Sequence, residues 1–191
     1  MSDESLLRAV QQGDRGAAEE LVRRYHRQLL AFYYRLSLDY HLAQDLAQEC
    51  LLRLISRAAL YRYPEPLKPW LYRIATNIWR DHRKSAAHRR AQEVVPLEAA
   101  VDEPEEGPSP QEVALGHLEA QEALANLARL PSSFAEVLLL RFCQELTVPE
   151  IAAVLHLPEG TVKSRIFHGL RHLRARMAEE VNPLGEPAEL P

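Results

Sequence analysis

The stretch from Leu146 to Met177, LTVPEIAAVLHLPEGTVKSRIFHGLRHLRARM, leaves few ways to fold other than two helices joined by a tight turn. Thr147 and Glu150 have the S/T-x-x-E spacing of a capping box, so a first helix starts at Val148. It is short, with Ile151, Val154 and Leu155 facing inward. Leu157-Pro158-Glu159-Gly160 breaks the pattern, and Pro158 and Glu159 both suit the first turn of a new helix. The second helix then repeats apolar residues at Val162, Ile166, Leu170, Leu173 and Met177. Its other side carries Thr161, Lys163, Ser164, Arg165, His168 and Arg171. Between Thr161 and Arg176 stand five Lys or Arg and no acid. A basic face alone is common on a solvated helix hairpin. Combined with a short first helix and a turn of this length, it describes a helix-turn-helix whose second helix meets phosphates and base edges.

The charge of the whole chain, −4, conceals a segregation. Residues 1–90 hold 16 Lys or Arg against 10 acids, residues 91–126 none against 9, and residues 127–191 hold 7 against 8. Two units with basic faces flank an acidic connector, which points to nucleic acid contacted at two places. Strand-like alternation is nearly absent, so the expected fold is all-α. Two small helical domains, 1–90 and 117–180, are joined by an acidic Pro-rich flexible linker at 91–116 and followed by a loose tail at 181–191. Val101 to Pro110 is the densest run of acids and prolines, which disfavours a packed core. Cys50 and Cys143 fit no metal-ligand spacing and read as reduced thiols on buried helix faces. No apolar run approaches the ~20 residues of a membrane span. The acidic N-terminus is unlike a signal peptide, so no membrane insertion and a cytoplasmic location are expected.

Along the first unit the pattern gives a short helix from Asp3 to Gln12 and a long one from Gly16 to about Leu36. The long helix buries Ala18, Leu21, Tyr25, Leu29, Phe32 and Leu36. A third helix covers Leu42 to Ala59, with Leu42, Leu46, Cys50, Leu54 and Ala58 inward. On its opposite side Asp45, Gln48, Glu49 and Leu52 fall at i, i+3, i+4 and i+7 and form one stripe. A solvated face is the bland account of that stripe. Two acids and an amide around a leucine also suit a partner with a basic surface.

The loop from Tyr61 to Lys68 interleaves Tyr61 and Tyr63 with Arg62 and Lys68, the residue types that stack on unpaired bases and meet phosphates. Tyrosines covering a domain edge are the alternative. After Pro69 a helix runs from Trp70 to Lys84, with Trp70, Ile74 and Ile78 inward. Arg73, Asn77, Arg80 and Lys84 lie on one stripe at i, i+4, i+7 and i+11. Helical pattern resumes near Gln111, and Phe134 to Phe142 supplies the helix beneath the helix-turn-helix.

Four segments in this order, GDRGAAEELVRRYHRQLLAFYYRL, AQDLAQECLLRL, PWLYRIATNIWRDHRKS and LPSSFAEVLLLRFCQELTVPEIAAVLHLPEGTVKSRIFHGLRHLR, resemble bacterial RNA polymerase sigma factors. The resemblance is to the small extracytoplasmic-function group of the sigma-70 family and covers about Glu4 to Arg90 and Leu127 to Met177. It implies a transcription initiation factor, not an enzyme, with no cofactor and no metal. Its partners would be core RNA polymerase, promoter DNA and an inhibitory anti-sigma factor. By position, Asp45, Gln48, Glu49 and Leu52 would contact the core enzyme. Tyr61, Tyr63, Lys68, Arg73, Asn77, Arg80, Arg83 and Lys84 would meet the −10 element, with a base captured in the loop. Thr161, Lys163, Ser164, Arg165, His168 and Arg171 would read the −35 duplex in its major groove. The acidic linker resembles the segment that threads the polymerase towards the RNA exit path.

Departures are visible at Leu51 and Ile55, where many relatives carry aromatics, at His168, where Arg is common, and in the stiff Pro64-Glu65-Pro66 loop. Two other classes compete with this reading. A stand-alone helix-turn-helix regulator with an N-terminal sensing domain is the alternative. A nuclease built on His41, Asp45 and Glu49 lacks a second carboxylate cluster to complete a metal site.

Overall fold

Four helices open on a side chain that satisfies a backbone N–H of the first turn. Ser2 Oγ accepts from the Ser5 N–H at 3.2 Å, Asp14 Oδ1 from Ala17 at 3.1 Å and Asp39 Oδ1 from Leu42 at 2.9 Å. Thr147 Oγ1 accepts from the Glu150 N–H at 3.4 Å, and the Glu150 carboxylate accepts from the Thr147 N–H at 2.7 Å, which completes the expected capping box. The computed structural model describes residues 1–92 and 126–181. Within them lie α1 (Asp3–Gln11), α2 (Arg15–Ser37), α3 (Tyr40–Ser56), a 3₁₀ turn (Ala58–Leu60) and α4 (Leu67–Gln92). The second half has α5 (Ser132–Leu138), a π turn (Leu139–Cys143), α6 (Val148–Leu155) and α7 (Glu159–Val181). No strand occurs among the described residues, so the fold is all-α, with one helical unit before residue 92 and another after residue 126.

In the first unit α2, α3 and α4 bury Tyr33, Phe32 and Tyr72 together. The Phe32 ring meets Tyr33 and Tyr72 edge-on at centroid distances of 5.5 and 5.3 Å. The Tyr33 hydroxyl donates to the Ala75 carbonyl at 3.0 Å, so its polar tip is satisfied inside the core. Helix α1 is tied on by polar contacts. The Tyr25 hydroxyl donates to Asp3 at 2.6 Å, and Gln11 Nε2 donates to the carbonyls of Ala58 and Tyr61, both at 2.9 Å. Glu4 accepts from the Leu67 N–H at 3.4 Å and places an acid at the start of α4.

In the second unit α5 and α7 cross closely because Gly169 has no side chain. A Cβ there would stand 3.1 Å from Leu138 Cδ1 and 3.3 Å from Phe134 Cβ. The π turn lets the chain leave α5 and still present Leu139 and Leu140 to the core, with Arg141 donating to the Leu146 carbonyl at 3.0 Å. The turn of the helix-turn-helix passes through His156 in the left-handed region (φ 54°), a conformation unusual for a residue with a side chain.

Several boundaries differ from the sequence reading. Helix α4 begins at Leu67 and not after Pro69, because a proline within the first turn loses no helical hydrogen bond. It also continues past Lys84 to Gln92. Helix α3 stops at Ser56, and Ala58 is buried from the 3₁₀ turn that follows. Ala17 rather than Ala18 is buried on α2. Cys50 is buried as expected, but Cys143 is exposed, because the π turn rotates it off the inward face. The linker from 93, the helical pattern between Gln111 and Leu124, and the tail from 182 lie outside the described residues.

The crossing at Gly169 sets one prediction. Gly169→Val should lower the stability of the helix-turn-helix unit by about 1–3 kcal/mol through overpacking against Leu138 and Phe134, read as a lower denaturant midpoint.

Candidate interfaces for protein and nucleic acid

Helix α3 turns Ala43, Leu46, Ala47, Cys50 and Leu51 into the core, which leaves the Asp45 stripe outward. Asp45 and Gln48 are exposed, Leu52 is 71% exposed, and Glu49 is ion-paired with Arg53 one turn later. An exposed leucine at this level, framed by two acids and an amide, has no intramolecular packing role. A surface i,i+4 pair such as Glu49–Arg53 contributes little to stability and is easily exchanged for another cation. The Cys50 thiol behind this face is pushed up to about 12 by burial, so it is an inert core group.

The loop between the 3₁₀ turn and α4 forms a cleft of about 340 Å³ lined by Leu60, Arg62, Glu65, Trp70 and Arg73. The expected residues divide here. Tyr61 is only 4% exposed: its ring lies 5.5 Å from Trp70 and its hydroxyl donates to the Glu65 carbonyl. Its phenol is pushed up to about 12, chiefly by burial. Tyr61 therefore braces the loop and has no free ring face to offer a base. Tyr63 is half-exposed, with the Arg8 guanidinium 5.0 Å above its ring. Lys68 is partly buried in the first turn of α4. The sequence reading passed over Leu60, Glu65 and Trp70 as lining residues. Two guanidinium groups, a carboxylate and an indole around an open slot can hold a flat, polar ring by stacking and by hydrogen bonds along its edge.

The basic stripe of α4 splits as well. Arg73, Asn77 and Lys84 are exposed. Arg80 turns towards the second unit and donates to Glu136 Oε2 from Nη2 at 2.9 Å and from Nε at 3.2 Å, with a longer contact to the Leu155 carbonyl at 3.5 Å. Arg83 donates to the Ser132 hydroxyl. The Glu136 side chain is 3% exposed, and burial raises its pKa above the ordinary 4.5 against the pull of Arg80. Glu136 thus favours folding most when protonated, and that contribution falls as pH rises through its raised pKa. Close by, the Tyr72 hydroxyl donates to Gln144 Oε1 at 2.5 Å inside the seam, and the Trp79 indole N–H is buried without a partner. The sequence reading missed Glu136 and Gln144. A lone acid inside the apolar run FAEVLLL was the available signal.

On α7 the residues of the expected duplex-reading face lie within its first four turns. Lys163, Ser164 and Arg171 are exposed, while Thr161, Arg165 and His168 are half-buried beside them. Val162 beneath them is fully buried and fixes the rotation of the helix. Ile166, Leu170 and Leu173 follow it inward, whereas Met177 is 44% exposed. Phe167 is 64% exposed and meets His168 edge-on. Such a face can approach a phosphate backbone and reach base edges between the strands. Among the described residues no group of three or more His, Cys, Asp or Glu could hold a metal ion, and no helix is long and apolar enough to cross a membrane.

Two family models match the chain: Sigma-70 region 2 over residues 21–89 and Sigma-70, region 4 over residues 126–175. The ECF RNA polymerase sigma factor SigW of Bacillus subtilis is 28% identical over 91% of this chain and 95% of its own length. The RNA polymerase sigma-H factor of Pseudomonas aeruginosa is 32% identical over 86% of this chain and 88% of its own. The fold is similar to that of the sigma factor RpoE solved with the anti-sigma factor NepR from Bartonella quintana. That match has a TM-score of 0.65 and 22% identity, and covers 88% of this chain and 98% of that one. The matched regions bracket both candidate interfaces, and the chain belongs to the ECF group of the sigma-70 family of RNA polymerase sigma factors, which are transcription initiation factors.

Proposed function

We propose that this chain, working in the cytoplasm, binds core RNA polymerase through the α3 stripe and reads a promoter at two places. Residues 1–90 form the unit that binds core and the −10 element, 91–116 the connector, 117–180 the −35 reader and 181–191 the tail. The observation that carries this reading is a pairing on one chain. Leu52 stands exposed among Asp45, Gln48 and Glu49 on the first unit, and an acid-free basic face stands open on α7 of the second. A stand-alone DNA-binding regulator needs the second feature and has no use for the first.

In this reading Leu52 supplies the apolar anchor and the two carboxylates choose a basic partner surface. The −10 non-template strand follows Arg73, Asn77 and Lys84 while one base enters the cleft over Trp70, with Tyr61 holding the loop in shape. Stacking and edge hydrogen bonds there offset the few kcal/mol that unpairing a base costs. Lys163, Ser164 and Arg171 approach the −35 duplex, with Thr161, Arg165 and His168 completing the face. The chain carries out no covalent step: it positions the polymerase and helps the duplex open. An anti-sigma factor, the partner with which the RpoE structure was solved, is proposed for this chain too and would cover these same faces.

Run-off transcription with sigma-free core polymerase on a pool of promoter fragments tests the proposal, which requires specific initiation only when the chain is added. Glu49→Lys should abolish co-purification with core while leaving the helical content intact; full retention on core would remove the α3 assignment. Lys163→Ala should weaken binding to −35 duplex and lower the slope of log affinity against log salt by about one. An unchanged slope would take Lys163 off the DNA.

A further inference from the structure

Helix α1 lies before the matched Sigma-70 region 2, which begins at residue 21, and the proposed function gives it no role. Its apolar anchor is small, with Leu6 and Leu7 as its buried residues. Its polar side is directed at one target. Glu4, Arg8 and Gln11 stand at i, i+4 and i+7 and share a face. All three reach the segment 58–67, which leads from the 3₁₀ turn through the cleft loop to the start of α4. The Gln11 amide donates to the carbonyls of Ala58 and Tyr61, both at 2.9 Å, and so holds the near end of the loop. Glu4 accepts from the Leu67 N–H at 3.4 Å and holds the far end. Between them the Arg8 guanidinium lies 5.0 Å over the Tyr63 ring.

Resting on the sigma-factor reading, we propose that α1 is a working part of the strand-reading site. Arg8 binds a phosphate of the opened −10 strand beside Tyr63, and Gln11 and Glu4 are positioning residues that keep the base-reading loop in shape. Arg8 is exposed, and among the described residues no carboxylate pairs with it. Arg80, by contrast, is already held by Glu136. Tyr63 keeps 49% of its surface open, so a base stacked on its ring would bring a phosphate within reach of the Arg8 charge. An aromatic platform beside a cation is the arrangement that grips a single strand. The loop itself has little packing to define it, because Arg62 to Pro66 are all exposed. Its internal bonds are few: Glu65 N–H to the Arg62 carbonyl at 2.9 Å, and the Tyr61 hydroxyl to the Glu65 carbonyl. Its shape therefore depends on the two ends that α1 fixes. A loop held in its binding shape spends less free energy on ordering when a base enters.

The test uses holoenzyme assembled from core and the full chain, with two single-stranded probes. One is the −10 non-template strand of a promoter recovered by run-off transcription, and the other is a scrambled strand of the same composition. Arg8→Ala should weaken both probes about tenfold and lower the slope of log affinity against log salt by about 0.7, leaving their affinity ratio at the parent value. Arg8→Lys, which keeps the charge, should restore the parent slope. Gln11→Leu removes the donor to both carbonyls. It should shrink the ratio of promoter to scrambled affinity at an unchanged slope, a result that mere loss of folded protein cannot give, since that would scale both probes alike. A parent slope in Arg8→Ala, a slope lost in Arg8→Lys as well, or a parent ratio in Gln11→Leu would each overturn the proposal. A parent holoenzyme that neither initiates nor prefers the promoter strand would instead strike the sigma-factor reading itself, before any variant is compared.

Discussion

Helix α4 has to satisfy three neighbours at once, and the rest of the structure follows from how its faces are shared. One face, through Leu71, Tyr72, Ala75 and Ile78, closes the aromatic core with Phe32 and Tyr33. A second carries Arg73, Asn77 and Lys84 into solvent, and a third meets α6 and Glu136. Since a helix turns 3.6 residues at a time, fixing the core face fixes the other two. The polar stripe cannot be re-aimed without breaking the core. The same rigidity makes the cleft dependable, because Trp70 and Arg73 in its wall sit on the first turns of that helix.

How much of this was legible in the sequence depended on how local the cause was. The capping box of Thr147 and Glu150 and the apolar spacing of α2 from Leu21 to Leu36 are written within a few residues and read correctly. The Asp45–Leu52 stripe was legible because both its faces follow one period. The start of α4 was misread because Pro64, Pro66 and Pro69 look alike in a string, although only the last falls within the first turn of the helix. Tyr61 differs from its expectation for a similar reason: composition marks a tyrosine in a basic loop as a stacking platform, whereas its ring is buried against Trp70.

The seam was not legible at all. Arg80 and Glu136 are 56 residues apart, and Tyr72 and Gln144 are 72 apart, with the acidic connector between them. No periodicity links such positions. Segregation of charge indicated two basic units but gave no orientation of one to the other. Only Glu136, an acid among FAEVLLL, breaks the local pattern, and a buried acid in a helix needs a cation whose address lies elsewhere in the chain.

On the proposed function the two units read two separate promoter elements, one as an opened strand and one as duplex. Site-specific photo-cross-linking in the holoenzyme–promoter complex tests it most directly, with reactive groups placed on the −10 non-template strand and in the −35 major groove. The −10 probe should attach to the cleft of residues 60–73 and the exposed stripe of α4, and the −35 probe to residues 161–171 of α7. Both probes attaching to the helix-turn-helix alone, with α4 unlabelled, would contradict it.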